Sequence, residues 1–296
     1  MLAVMGAGWG LTQPLAKIAV SGGYRNFGLI FWQTAIGAAV LGLVQLARGR
    51  RLRLDPPALA VYAVIAGVGT VVPNGASYEA IRHLPSGLIS ILLSMVPLFA
   101  FPVAMALGNE RFGWNRLAGL GLGLGGVLLI VAPRASLPDP AMAAFIPLAL
   151  VAPFLYGLEG NIVARWGTAG LDPVEVLFGA SLTAALAALP LALATGHFID
   201  PRPPWGAPDA ALALSALIHV FVYTVYVWMV GHAGPLFAVQ VSYLVTGFGV
   251  FWAKLILDET YSGWIWGAMA LILTGVFLVQ PRPREALAGA AETGQT

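Results

Sequence analysis

The amino-acid sequence predicts an all-α integral membrane protein: ten transmembrane helices arranged as two inverted five-helix repeats. Three observations carry that prediction. Of 296 residues, 59% are hydrophobic and only 9% charged, with a mean hydropathy of +0.84, whereas a soluble domain carries about 25% charged residues. The apolar residues fall in runs of about 20, each enough to cross a hydrocarbon core of roughly 30 Å as a helix. Residue types also recur at one spacing: Tyr78 and Tyr226, Ser94 and Ser242, Gly119 and Gly267, and Pro133 and Pro281 are each 148 positions apart. In lipid the backbone must satisfy its own hydrogen bonds, which favours helices, and the alternating pattern of a membrane barrel is absent.

In chain order the predicted spans are 2–20, 27–47, 58–81, 87–107, 113–132, 143–166, 174–195, 209–230, 235–257 and 263–280. The segments between them carry helix breakers: Arg48 to Pro57 is Arg-rich and ends in proline, Pro133 to Pro140 holds three prolines, and Asp200 to Pro208 holds four. The repeats are expected at 1–134 and 143–281, with a small, polar, disordered tail over 282–296. The start of the chain lacks a basic n-region and runs on into Gln13, Pro14 and Lys17, which fits a functional span better than a cleavable signal.

Orientation rests on where Lys and Arg fall. With a cytoplasmic N-terminus, the inner side holds Arg48, Arg50, Arg51, Arg53, Arg111, Arg116, Arg165, Arg282 and Arg284. The outer side holds Lys17, Arg25, Arg82, Arg134, Arg202 and Lys254. Nine against six places both termini in the cytoplasm, in a multi-pass protein of the cell (inner) membrane. Five spans per copy is an odd number, so the second copy enters the membrane upside down.

Several function classes fall away. A net charge of +2 with no basic, aromatic-interleaved face gives nucleic acid no docking surface. Zero Cys removes disulfides, thiolate metal sites and Cys nucleophiles. There is no H-E-x-x-H, no G-x-S-x-G and no aspartate pair inside a span, so catalysis in the membrane is not expected, nor a cofactor or metal. Duplicated sets of spans point instead to carriers that alternate access around a site between the halves. The expected partners are the lipid bilayer and a small-molecule substrate. Gly119, Gly123 and Gly121, Gly125 in span five, with Gly263, Gly267 in span ten, give small-xxx-small spacing for close packing between halves or protomers. Monomer and homodimer both stay open.

The order of short motifs, duplicated 147 to 149 positions later, resembles the drug/metabolite transporter superfamily in its ten-helix form with two EamA-type repeats. The carriers of the resemblance are Trp9-Gly10 with Pro14 and Lys17, echoed by Tyr156-Gly157 with Asn161 and Arg165. Others are Asn109-Glu110-Arg111 and Asp258-Glu259-Thr260 at the close of spans four and nine, and the glycine-rich spans five and ten ending at Pro133 and Pro281. The resemblance covers the chain from Trp9 to Pro281. It implies inner helices one to four and six to nine around a central cavity, with five and ten peripheral. The aromatic content is similar to that of aromatic amino acid exporters of the YddG type; related members move other amino acids, other metabolites, cationic drugs or nucleotide sugars.

Polar groups inside hydrocarbon are expensive, so they are the default site candidates. Span one offers Trp9, Gln13 and Lys17 on one face at fourth-residue spacing. Span three offers Asn74 and Tyr78 behind Pro73; span four, Ser90 and Ser94; span six, Tyr156. Span eight carries His219, Tyr223 and Tyr226 at i, i+4 and i+7, and span nine Gln240 and Tyr243. The repeat relation of Tyr78 and Tyr226 predicts a shared aromatic wall. Glu159, a carboxylate one turn after Tyr156, is the candidate for proton or ion coupling, and Lys17 a second coupling candidate whose alternative is snorkelling to the interface.

Overall fold

A computed structural model describes residues 1–110, 112–132, 136–233 and 241–279, with backbone alone at 227, 228 and 230–233. Arg111, Pro133, Arg134, Gln240, Pro281 and the 282–296 tail lie outside the described residues. The described chain is entirely helical, without strands. Its elements are α1 (Leu2–Ser21), α2 (Asn26–Ala47), α3 (Pro56–Ala66), a π turn (Gly67–Val71), α4 (Val72–His83), α5 (Ser86–Leu93), α6 (Val96–Ala106), α7 (Trp114–Val131), a 3₁₀ turn (Pro140–Phe145), α8 (Ile146–Trp166), α9 (Pro173–Ala194), α10 (Ala207–Ala233), α11 (Val241–Leu257) and α12 (Gly263–Val279). Among the described residues, seven stretches are long and apolar enough to cross a membrane: Asn26–Ala47, Pro56–His83, Ser86–Ala106, Trp114–Val131, Pro140–Trp166, Pro173–Ala194 and Ala207–Tyr226. Val241–Leu257 and Gly263–Val279 are apolar but shorter.

The ends follow from local chemistry. Gly49 (φ 65°) and Gly196 (φ 69°) follow the last turns of α2 and α9 in the left-handed region that glycine enters without a Cβ penalty. Asp172 caps α9, its Oδ1 accepting from the amides of Val174 (2.9 Å) and Glu175 (3.2 Å). The sixth predicted span begins differently from expectation, with the 3₁₀ turn started by Pro140 and capped by Asp139 before α8 proper.

The prolines act unequally. Pro14, Pro102, Pro153 and Pro190 sit inside continuous helices. Pro97 follows a real break at Ser94 and Met95 that separates α5 from α6. Pro73 follows the π turn, in which the Val72 amide bonds to the Gly67 carbonyl instead of one residue nearer. The cause is plain: Pro73 has no N–H to offer the Gly69 carbonyl, so a regular α ladder cannot continue through this turn.

Packing joins the halves in pairs: α1 lies against α10 and α11, α8 against α4 and α6, α2 against α9, and α7 against α12. Glycines permit the closest crossings. A Cβ on Gly10 would stand 2.7 Å from the Gly249 amide nitrogen, and one on Gly157 would stand 2.8 Å from that of Ala100. The α7–α12 seam uses Gly119, Gly123, Gly126 and Gly275, with a Cβ on Gly119 only 2.6 Å from the Gly275 carbonyl. This bears out packing between halves for Gly119 and Gly123. Gly121 and Gly263 face open space, and Gly125 and Gly267 meet only leucine side-chain tips.

Asn161 bolts α8 to α6. It is 8% exposed, and its amide donates to the carbonyls of Ala100 (2.9 Å) and Gly157 (2.8 Å), while its own oxygen accepts from Asn109 (3.3 Å). Asn161→Ala removes the side-chain bonds to Ala100, Gly157 and Asn109, the first of which joins α8 to α6, and is expected to cost about 1–3 kcal/mol. Thermal unfolding of the purified variant checks this, and an unchanged midpoint would remove Asn161 from the seam. At the α1–α2 connection Tyr24 donates its hydroxyl to the Asp209 carboxylate. Burial, and then that carboxylate, push the Tyr24 phenol up to about 12, so it stays a neutral donor in the physiological range.

Candidate functional site

The polar and aromatic candidates gather on four helices, α1 and α4 from the first half and α8 and α10 from the second. From α10, His219, Tyr223 and Tyr226 follow the helical period and therefore share one face. That face turns to Trp9 on α1. The Trp9 ring centroid lies 5.5 Å from Tyr226, 6.3 Å from Tyr223 and 6.4 Å from His219. Tyr223 in turn lies 6.1 Å from Tyr226. These are tilted or edge-on arrangements in the range where aromatic quadrupoles attract. The Trp9 indole N–H is buried without a hydrogen-bond partner among the described residues.

A polar group adjoins this aromatic one. Tyr156 on α8 donates to the Asn74 side-chain oxygen on α4 (2.9 Å), a bond that crosses between the halves. Tyr78 donates to Gln33 on α2, a polar residue in an apolar span that the sequence reading passed over. Tyr78 therefore lies with α2 and Tyr156, while Tyr226 lies with Trp9, and the two repeat-related tyrosines do not form one shared wall. Their helices are related, but their neighbours are not.

Glu159 stands one turn beyond Tyr156 and projects onto the π turn. Its carboxylate occupies the place where a side chain on Gly69 would be, 2.5 Å from that position. It interacts electrostatically with the hydroxyl groups of both Tyr156 and Tyr223. No hydrogen bond or ion pair reaches it from the described residues. Glu79, near the end of α4, is paired instead, with Arg82 (3.0 Å) and His83 (3.4 Å).

Other candidates sit elsewhere. Ser90 and Ser94 are 1% and 5% exposed and turn back onto the carbonyls of Ser86 and Ile91; Ser90 also packs against Gly249. Ser90 serves the α5–α11 seam and Ser94 sits at the break between α5 and α6, and among the described residues neither is brought together with the aromatic group. Tyr243 has a buried hydroxyl without a partner among the described residues and borders a surface groove with Leu244, Phe248 and Phe251. Gln13 is partly buried, without a side-chain bond among the described residues. Gln240 is not described.

Lys17 has a different role from snorkelling. Its ammonium donates to the carbonyls of Ile81 (2.7 Å), Leu84 (3.0 Å) and Arg82 (3.4 Å), closing the C-terminal end of α4. Immediately beyond, Glu259 caps the start of α5: it accepts from the Ser86 amide (2.7 Å), the Ser86 hydroxyl (2.8 Å) and the Gly87 amide (3.1 Å), with Tyr261 donating to it at 2.5 Å. Lysine and glutamate thus hold the α4–α5 connection from both sides, and the α1, α4, α5 and α11 ends are drawn together. Among the described residues, the counterpart contact between α8 and α10 is not comparably packed.

These features define a polytopic helical membrane protein with a polar and aromatic cluster between two similar halves. The model of the EamA-like transporter family matches residues 1–132 and again residues 144–280, and the chain belongs to that family, whose members are membrane transporters of small molecules. A solved crystal structure of a protein has the same fold, at a TM-score of 0.59 and 20% identity over 94% of this chain and 96% of the other. No curated protein sequence matches the chain.

Proposed function

We propose that the protein is a ten-span carrier of two inverted five-helix repeats that exports small amphipathic metabolites, aromatic or other neutral amino acids foremost, across the cell membrane by alternating access. The observation that carries this reading is the cluster of Trp9, Tyr156, Tyr223, Tyr226, Asn74 and Glu159. It draws side chains from both halves, where relative motion of the halves exposes it to either side in turn. Aromatic faces supply apolar area for a ring or aliphatic body. The unpartnered indole N–H of Trp9 and the amide of Asn74 supply hydrogen bonds for its polar end. With the termini in the cytoplasm, the Lys17–Glu259 end faces outward and is closed, and the α8–α10 side opens inward.

Purified protein in liposomes tests this. Saturable, counterflow-competent movement of labelled phenylalanine or leucine is expected, with Trp9→Ala and Tyr226→Ala each lowering affinity by about tenfold, on the order of 1–2 kcal/mol of stacking and apolar contact. Non-saturating flux in the wild type would replace the carrier with a channel. Unchanged affinity in both variants would move the site elsewhere.

A further inference from the structure

We propose that the Glu159 carboxylate is the counter-charge for an ammonium group on the transported molecule, with Trp9, Tyr156, Tyr223 and Tyr226 as the walls around it. This rests on the carrier reading and names the chemistry that the same site selects.

Three independent features converge on it. Glu159 holds a carboxyl group in the body of a membrane helix, and the described cations that have partners find them elsewhere: Lys17 on backbone carbonyls, Arg82 on Glu79, Arg116 on Glu110, Arg50 on Asp172. A carboxyl group at that depth needs either a proton or a positive partner, and a charged ligand can supply the second. The protein has also made room for the carboxylate in particular, because the π turn at Gly67–Val71 presents Gly69 to it, and a methyl group there would stand 2.5 Å from both its carbon and one oxygen. Finally, the groups next to it are the phenols of Tyr156 and Tyr223, and Tyr223 in turn lies 6.3 Å from Trp9 and 6.1 Å from Tyr226. A ring of Trp and Tyr attracts an ammonium through the quadrupoles of its faces and sheds the ammonium's water at little loss. A lone anion, a neutral alcohol or a sugar gains nothing comparable from this set. The titratable groups facing the carboxylate are Tyr156 on its own helix and Tyr223 on α10, with Tyr226 and His219 next along α10; none of these brings a fixed positive charge. A primary amine and an amino acid both carry the ammonium, and the experiment separates them.

The test is equilibrium binding to purified full-length protein with labelled 2-phenylethylamine in one arm and labelled phenylalanine in the other, competed by 2-phenylethanol and by 3-phenylpropionate. Saturable binding is expected in at least one arm, and the alcohol and the acid should compete at least about tenfold worse than the amine they mimic, the loss of a charge-assisted hydrogen bond. Glu159→Gln should weaken binding by at least about tenfold, and Glu159→Asp should recover part of it. Gly69→Ala, which pushes on the carboxylate without removing charge, should weaken it as well and stands in if Glu159→Gln does not fold. Binding in the amine arm alone identifies a cationic amine as substrate; binding in both arms identifies an amino acid.

Equal competition by 2-phenylethanol overturns the proposal, as does unchanged affinity in the glutamine and alanine variants, or no saturable binding in either arm. Flux in liposomes keeps this apart from the carrier reading. Glu159-dependent binding without flux removes the carrier and leaves the ammonium site standing. Saturable flux with the same KM in Glu159→Gln does the reverse.

Discussion

Lys17→Met is expected to release the closed end of the protein, raising the accessibility of the α1–α4–α5 contact by about 10- to 100-fold. Three carbonyls at the end of α4 now share one ammonium. They are carbonyls that no helical amide can serve, because the helix ends there, and the positive charge also meets the negative end of the α4 dipole. Hydrogen bonds to a charged group contribute about 1.5–3 kcal/mol; each 1.4 kcal/mol is tenfold in an equilibrium, which gives the range above. Methionine keeps the length and apolar stem of lysine, so the loss is that of the charge and its bonds. The chain has no cysteine, so a single Ala16→Cys, at a partly buried residue next to Lys17 that packs against the core, reports opening by its rate of maleimide labelling. Glu259→Gln should act in the same direction and more weakly, since an amide oxygen still accepts from the Ser86 amide while one oxygen acceptor is lost. Equal labelling rates in wild type and Lys17→Met would show that this end is not held by the lysine.

The second large effect is steric. Gly10→Ala adds one methyl group where the nearest atom is a backbone nitrogen 2.7 Å away, on Gly249, and where the next contacts, from Phe248, are at 3.0 Å. Backbone cannot rotate aside as a side-chain tip can, so α1 and α11 must separate along their seam. Overpacking of this kind costs about 1–3 kcal/mol. The same substitution at Gly157, 2.8 Å from the Ala100 nitrogen, should behave alike, because it is the equivalent crossing in the second half. Gly121→Ala is the contrast. Nothing lies near it, and alanine is the better helix former by about 1 kcal/mol. Thermal unfolding should therefore separate two destabilised variants from one that is neutral or stabilised. A Gly10→Ala protein as stable as wild type would mean that the crossing is looser than 2.7 Å implies.

Much of the frame was legible before any coordinates. Apolar runs and their Gly and Pro boundaries placed most helix ends within one to three residues, as at 2–20 against Leu2–Ser21 or 174–195 against Pro173–Ala194. Helical periodicity put His219, Tyr223 and Tyr226 on one face, and the structure keeps them together. The motif echo of Trp9-Gly10 in Tyr156-Gly157, 147 positions on, marked Gly10 and Gly157 as related, and both are crossing points. Other residues were misplaced for reasons the sequence does not contain. Lys17 close to a span end reads equally as a snorkelling side chain and as a cap for a neighbouring helix; the choice depends on where α4 stops in space. Ser90 and Ser94 have the chemistry of ligand contacts, yet Ser90 fills a seam beside Gly249 and Ser94 turns back onto the Ile91 carbonyl. Gln33 and Asn161 were visible polar residues in apolar spans, and only their partners, Tyr78 in one case and Ala100 and Asn109 in the other, show what they do.

By itself, then, the sequence determined that this chain is a helical membrane protein, where its helices begin and end, and that it is built twice. These depend on local hydrophobicity and on backbone hydrogen bonds that close within each helix. The tertiary structure decided which face of each helix meets another, that Gly119 and Gly123 pack while Gly121 stays open, and that Glu159 comes to rest on Gly69. In water a buried face announces itself as an apolar stripe. In lipid both faces are apolar, so no such stripe exists, and packing is chosen by shape and by a few polar partners that lie far apart in the chain.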